Sequence, residues 1–367
     1  MKEKNYIVRL TAKGPVHIGS GEIARKKEYV YNQKENRIDF QDMRKFTFLL
    51  MQEGLIESYH HFIQRDNHKK GLYEFLVDHD LQKKYRSTIR YSLDSSTLSF
   101  RKGKPLNDIA LAIKDPYANP YIPGSSLKGA LIENLLYACA LKNRDRLERK
   151  YRNRFAAARE KYKRWRAYKE IGESLSEDLS RLLIGEHYKE LGKYISVGDS
   201  VSVKKDNLIL AQKSDLIISP KGEAYDKQKN LNLIRESIDR ETELSFPLKL
   251  TDPHKVSASK LLDAIEDTFI ELDGLYRDLA GFDEMQARHI YVGGGTGYIS
   301  KTLVYSLFER DEAVDVAIDV LRANFKKHKR EEDRAVKLAP RTVKMAKTVH
   351  GIEEMGLCKI DIEEVSK

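Results

Sequence analysis

Two spacings of apolar residues recur along this chain, and they interleave without a fixed order. Residues 6–10 alternate apolar and polar, as a strand does. Residues 28–31 and 37–40 do the same on either side of the turn-forming stretch 32–36, which predicts a β-hairpin. Stretches 87–100, 194–203, 208–218, 233–250 and 289–292 also read as strands or strand pairs. Spacings of three and four predict helices over 42–50, 55–63, 72–81, 258–279, 301–309 and 313–326. Three prolines make a loop of 115–124, after which Ser125 or Ser126 is expected to cap a helix running through Ala140. The irregular mixture predicts an α+β fold with split β-α-β units, not a doubly wound parallel sheet.

One stretch is both helical and strongly charged. From Lys142 to Lys169 there are 13 Lys or Arg against 3 acids, a net of +10 that equals the excess of the whole chain. Leu147, Tyr151, Phe155, Ala158, Tyr162 and Trp165 form an apolar stripe through it at steps of four and three. No Gly or Pro interrupts the stripe, so one helix of roughly 40 Å is expected at ~1.5 Å per residue. A second helix over 174–191 would fold back after Gly172 as an αα-hairpin, offering Leu175, Leu179, Leu182 and Leu183. The charged faces suit solvent, RNA or a neighbouring subunit. Residues 325–350 are basic too, with 9 Lys or Arg against 3 acids. At 367 residues the chain exceeds one ordinary domain. Three parts are expected: 1–140, a helical insertion over 141–192, and 193–367.

Cys139 and Cys358 belong to no CxxC pair, so neither a cysteine zinc site nor a disulfide framework is expected. No segment approaches the ~18 apolar residues of a membrane span, and the N-terminus has no apolar signal core. The reading is a soluble, cytoplasmic protein without membrane contact, metal or cofactor. A basic balance favours phosphate-bearing partners.

Three glycine-rich elements suit phosphate: GPVHIGSG at 14–21, YIPGSSLKGAL at 121–131 and YVGGGTGYISKT at 291–302. Glycine lets the backbone approach a ligand without a Cβ, and successive N–H groups at such turns make anion nests. In the second element, Ser125, Ser126 and Lys128 stand at a helix N-terminus, where the dipole favours an anion. A capped, packed helix explains that element equally well. Gly124 and Gly129 have P-loop spacing, but Ala130 stands where lysine is needed. GSGEIA at 19–24, with Asp39 beyond it, fits a dinucleotide fingerprint, yet a hairpin is expected where that fingerprint needs a helix. Three such loops in one basic α+β chain point to a long anionic ligand, RNA or single-stranded DNA.

These motifs together resemble the RAMP superfamily of CRISPR proteins. GPVHIGSG is similar to its N-terminal loop and YIPGSSLKGAL to its central signature. ISVGDS at 195–200 is similar to the strand that opens its second half, RETELSF at 240–246 to a later hairpin, and GGGTGYISKT to its C-terminal glycine-rich loop. APRTVKM at 339–345 extends the likeness. Within the superfamily the length, the basic insertion and the GGGTG and PRT elements most resemble subunit five of the type III-A (Csm) complex.

The resemblance implies two RRM-like (ferredoxin-like) halves around the insertion. It implies guide RNA (crRNA) gripped toward its 3′ end, a place capping the filament of Csm subunits, and only indirect contact with target RNA. It implies help in guide maturation for antiviral defence, with host nucleases cutting. By that likeness Gly14, His17, Gly19, Ser125, Ser126, Lys128, Gly293, Gly294, Gly295, Thr296, Gly297 and Arg341 line or support the RNA path. The usual RNP aromatics are not evident, so grip on phosphate and 2′-OH, indifferent to sequence, is expected. The alternative is a metal-independent guide-processing endoribonuclease, with His17 as base and Tyr29 or Lys128 as partner. His60, His61 and His68 make no recognised metal set, and Asp199 reads as a turn residue more than a catalytic carboxylate.

Overall fold

The computed structural model describes residues 3–64, 70–99, 108–185, 190–221, 224–226, 233–283, 285, 288–325 and 331–365. From the N-terminus come β1 (Lys4–Ala12), β2 (Gly19–Ala24) and the hairpin of β3 (Tyr29–Asn32) and β4 (Arg37–Gln41). Helices α1 (Met43–Gln52), α2 (Ile56–Gln64) and α3 (Leu72–Asp78) follow, then β5 (Ile89–Asp94) and β6 (Ile109–Ala112). The middle holds α4 (Gly124–Lys142), α5 (Arg144–Arg159) and α6 (Arg164–Ile184). Next are β7 (Ile195–Val197), β8 (Leu208–Ile218), β9 (Ala224–Asp226), β10 (Ile234–Ile238) and β11 (Glu243–Leu250). The last part has α7 (Ala258–Leu272), α8 (Asp278–Ala280), β12 (His289–Tyr291), α9 (Val304–Leu307), α10 (Arg310–Asn324) and α11 (Glu331–Val336). It ends with β13 (Thr342–Thr348), β14 (Gly351–Glu354) and β15 (Leu357–Glu364).

Alternation along β1 buries Tyr6, Val8, Leu10 and Ala12 and leaves Asn5 and Arg9 in solvent. β11 matches it with Leu244, Phe246, Leu248 and Leu250, all buried. The two strands pair antiparallel, and β15 pairs antiparallel with the other edge of β1. The five-stranded sheet has the order β12-β15-β1-β11-β7. α4 and α7 pack against it through residues such as Leu127, Leu131, Leu261 and Ile265. Each such side chain contributes about 1.5–3 kcal/mol by leaving water. Taken in chain order, β1, α4, β7, β11, α7 and β15 follow β-α-β-β-α-β with strands ordered β15-β1-β11-β7, the ferredoxin-like arrangement.

That arrangement takes a different form from one RRM-like unit per half. β1 lies between strands of the C-terminal part, so the sheet crosses the expected boundary at residue 140. The seven-stranded sheet, ordered β14-β13-β8-β10-β6-β2 with β9 beside β8, likewise draws on both ends of the chain. Alternation marks a strand but not its partner, and both partners of β1 lie more than 200 residues away. The hairpin β3–β4 pairs with β5 in a small third sheet. GSGEIA is β2, followed by this hairpin and not by a helix, so the dinucleotide fingerprint fails. Asp39 is buried, accepting from Tyr85 Oη at 2.9 Å and Ser92 Oγ at 2.6 Å.

The basic stretch differs from the expected single helix. It breaks between Arg159 and Arg164, leaving Tyr162 99% exposed, and α6 then runs through Gly172. Leu147, Tyr151, Phe155 and Ala158 are buried as the stripe requires. Three of its arginines pair with acids of α10 or the residue before it: Arg144 with Glu309 at 2.8 Å, Arg152 with Glu312 at 2.7 Å and Arg159 with Asp319 at 2.5 Å. Part of the positive charge that stands out in the sequence is therefore answered by α10 and the residue before it. Cys139 and Cys358 are free and buried. No helix among the described residues is long and apolar enough to cross a membrane.

Candidate nucleic-acid interface

The first and third glycine elements meet. After β1, the chain crosses to the seven-stranded sheet, where Val16 and Ile238 exchange backbone hydrogen bonds of 2.9 and 2.8 Å. There the Gly294 N–H donates to His17 O at 2.8 Å. A Cβ on Gly293 would fall 2.5 Å from His17 O, so this approach needs glycine. Gly14 is equally constrained: its Cβ would fall 2.1 Å from Glu354 O. Gly19 is exposed at the start of β2.

The third element leaves β12 as a turn in which Gly293, Gly295 and Gly297 have φ of 88°, 92° and 100°. Only glycine adopts this readily. Alternation of left-handed residues with others is the geometry of an anion nest. The amides of Gly295 and Gly297 have no acceptor among the described residues. Thr296 is buried, and its Oγ1 has no hydrogen-bond partner among the described residues.

Beneath this turn stands a set of cations not singled out from sequence. Registers pair Arg235 with Ala211, Ala346 with Lys213 and Lys344 with Asp215. With period two, Arg235, Lys213, Asp215 and Lys344 all share one sheet face. Ala211 and Ala346 lie on that face and pack with Met355. Arg235 Nη1 is 3.6 Å from an ideal Cβ on Gly295, and Lys344 Cγ is 3.0 Å from one on Gly297. Asp215 accepts from Lys344 at 2.9 Å and lies 3.8 Å from Lys213. Three cations thus share one carboxylate. Burial, then the charges of Lys344 and Arg235, push the Lys213 ammonium below its usual pKa. Burial does the same to Arg235. A phosphate here would relieve cations that now crowd each other.

His17 is buried, with Nδ1 2.6 Å from Glu236 O. That carbonyl can only accept, so Nδ1 carries the proton. Burial, aided by the charge of Arg235, holds the ring below its ordinary value of 6.5, against the pull of the Glu236 carbonyl. The folded ring thus binds a proton less readily than the unfolded one. Its contribution to stability is full above the unfolded value of 6.5 and is lost as pH falls through the lower folded value. The melting temperature should therefore decline on acidification from about pH 7 to about 5. His17→Asn should flatten that decline, and an unchanged slope would show that His17 does not titrate this way. Neither Tyr29 nor Lys128 is among the groups acting on His17. Tyr29 lies in a separate core against Phe40, at 6.3 Å between ring centroids.

The second element stands apart. α4 begins at Gly124 after Pro123, without a serine side-chain cap. Asp199 instead accepts from the Gly124 N–H at 2.8 Å. A carboxylate of the protein itself already answers the helix dipole there. This assigns Asp199 a structural place and corrects the expectation of a Ser125 or Ser126 cap. Ser200 zips the same segments, donating from its N–H to Ile122 O at 3.0 Å and accepting from the Ile122 N–H at 2.9 Å. Ser125 is exposed, and Ser126 and Lys128 are half-buried. β7 and β12 are the outer strands of the sheet, so this element and the glycine turn lie roughly 19 Å apart at ~4.8 Å per strand. Arg341 is also committed elsewhere, donating to Ile218 O at 2.9 Å and pairing with Glu332. His60 lies 3.0 Å from Gln64, while His68 lies outside the described residues.

The sequence profile of the RAMP superfamily matches residues 9–299, a span holding the first two glycine elements and the glycines of the third. The chain belongs to the RAMP superfamily. Membership implies an RRM-like fold, in keeping with the five-stranded sheet. The chain is 29% identical over 317 residues to the CRISPR system Cms protein Csm5 of Streptococcus thermophilus, covering 82% of this chain and 80% of that protein. It is 24% identical to Csm5 of Enterococcus italicus, covering 89% and 87%. Against Csm5 of Mycobacterium tuberculosis it is 25% identical, covering 98% of each. Among solved structures, it resembles a chain of a cryo-EM structure of a Csm-crRNA-target RNA ternary complex of a type III-A CRISPR-Cas system. The TM-score is 0.62 at 18% identity, over 97% of this chain and 100% of that one. The crystal structure of T. onnurineus Csm5 gives 0.58 at 15% identity, over 96% and 99%. At these identities the two structures speak to the fold.

Proposed function

We propose that this chain is the fifth subunit of a type III-A (Csm) effector complex, a non-catalytic protein that grips guide RNA. The observation that carries this is the meeting of two glycine elements over Arg235, Lys213 and Lys344. Backbone amides and cations there offer a sugar-phosphate chain an electropositive seat that reads no base. The likeness to Csm5 proteins over most of the chain supports membership of such a complex. On this reading the protein holds the guide toward its 3′ end, closes one end of the assembly and meets target RNA only through its neighbours. Guide maturation is then assisted by positioning other nucleases. RNA cleavage by the chain itself has less support, since His17 is tied through Nδ1 to a backbone carbonyl and neither proposed partner reaches it.

A tagged copy expressed beside its native neighbours should bring down those subunits and short RNA of uniform length. Recovery of the protein alone, free of RNA, would overturn the reading. Cleavage of repeat RNA by the pure protein, lost in His17→Ala, would replace it with the enzyme.

A further inference from the structure

The chain leaving the glycine turn borders a second feature. Between α6, α10 and the segment after Gly297 lies a cavity of about 1000 Å³. Such a volume is at the upper end for small-molecule sites. Gly297 belongs both to its wall and to the cationic interface, and Lys301, also on the wall, donates from Nζ to Gly293 O at 3.1 Å. The cavity therefore begins where the proposed phosphate grip ends.

Aromatic residues line it from both sides in sequence, Phe155, Trp165 and Tyr168 from the basic hairpin and Tyr298 from the chain after the turn. Trp165, the chain's single tryptophan, is 52% exposed. Tyr168 is 6% exposed, and its hydroxyl has no hydrogen-bond partner among the described residues. Of the two acids on the α6 side, Glu173 lies 3.7 Å from Lys169 and Glu177 lies 3.7 Å from Arg181, so each is partly answered on its own helix. Lys301 stands on the side of the glycine turn.

We propose that this cavity takes one unstacked nucleobase, laid against Trp165, from the strand whose phosphates the glycine turn holds. The proposal rests on the RNA-binding reading above. Proteins that track single strands pair a cationic groove with aromatic faces, because every base has a π-face. The aromatics here come from the inserted hairpin, not from the sheet. The cavity lies beside a seat for phosphate, which favours a base over a side chain of a neighbouring subunit.

A lone tryptophan makes the test direct. Full-length protein is titrated with single-stranded RNA and with an abasic ribose-phosphate chain of equal length, following tryptophan emission and, separately, binding by anisotropy of a labelled strand. Saturable quenching is expected with RNA and not with the abasic chain, while both bind. Trp165→Ala should weaken RNA binding roughly tenfold and leave the abasic chain unaffected. Trp165→Phe should restore most of the loss. RNA binding with unchanged emission would sink the base site and spare the RNA-binding reading. Absence of any RNA binding would sink both. Quenching by purified neighbouring subunits but not by RNA would assign the cavity to a protein contact and overturn the proposal. If Trp165→Ala fails to fold, the emission of the unaltered protein still decides.

Discussion

Replacing Lys213 and Lys344 together by glutamine should weaken binding of single-stranded RNA about 100-fold at low salt, at ~1.4 kcal/mol for each cation lost. Lys344 lies against Gly297 of the turn, Lys213 shares its sheet face, and both depend on Asp215 for a counter-charge. Glutamine keeps part of the aliphatic stem while removing the charge. Arg235 remains beside Asp215, whose charge acts on it, so the carboxylate is not left without a cation. Stability should accordingly change by less than about 1 kcal/mol, as for other partly exposed pairs. The comparison is made by anisotropy at fixed salt, with thermal melts of both proteins alongside. Equal affinity in the two proteins would remove these cations from the RNA path. Lys128→Gln, in the first turns of α4 near the far edge of the sheet, is the control and should alter affinity little.

Gly14→Ala should produce the largest loss of stability. The new Cβ would fall 2.1 Å from Glu354 O, a backbone atom that cannot rotate away. Two hydrogen bonds flank the contact, Lys13 N–H to Leu357 O at 2.8 Å and Gly356 N–H to Pro15 O at 2.9 Å. Parting the two backbones strains both. Overpacking at about 1–3 kcal/mol, with ~1 kcal/mol for each bond lost, gives a cost of about 4 kcal/mol. The melting temperature should fall by about 5–10 °C, and RNA affinity should fall with it because loop and turn share the His17–Gly294 contact. Gly129→Ala is the contrast. Nothing lies within 4 Å of its Cβ position on α4, so alanine should stabilise that helix slightly. A Gly14→Ala protein that melts with the unaltered one would contradict the close approach.

Those two glycines show how far the sequence could be read. Both stand in recognisable motifs, yet Gly14 is wedged against another strand and Gly129 faces open space. Elements with local causes were legible: the β3–β4 hairpin, α1 and α4 follow from alternation, turn residues and helical spacing. The break after Arg159 was not, because Tyr162 and Trp165 keep the helical stripe in phase although neither is buried. Asp199 looked like a turn residue, and its role required knowing that β7 ends beside Gly124. The cations under the glycine turn were least legible. Lys213, Arg235 and Lys344 are ordinary residues on separate strands, and only sheet register brings them together. β8 gave no alternation to mark them, because Ala211, Lys213 and Asp215 are interleaved with Gln212 and Ser214, which are polar too.

Titration of RNA binding against salt, for the unaltered protein and for Lys213→Gln/Lys344→Gln, reads the number of phosphates that these side chains neutralise. Each phosphate released from contact lowers the slope of log affinity against log salt by ~0.7 for a single strand. The double variant should be shallower by about 1.4. Parallel lines for the two proteins would mean that the backbone of the RNA passes elsewhere.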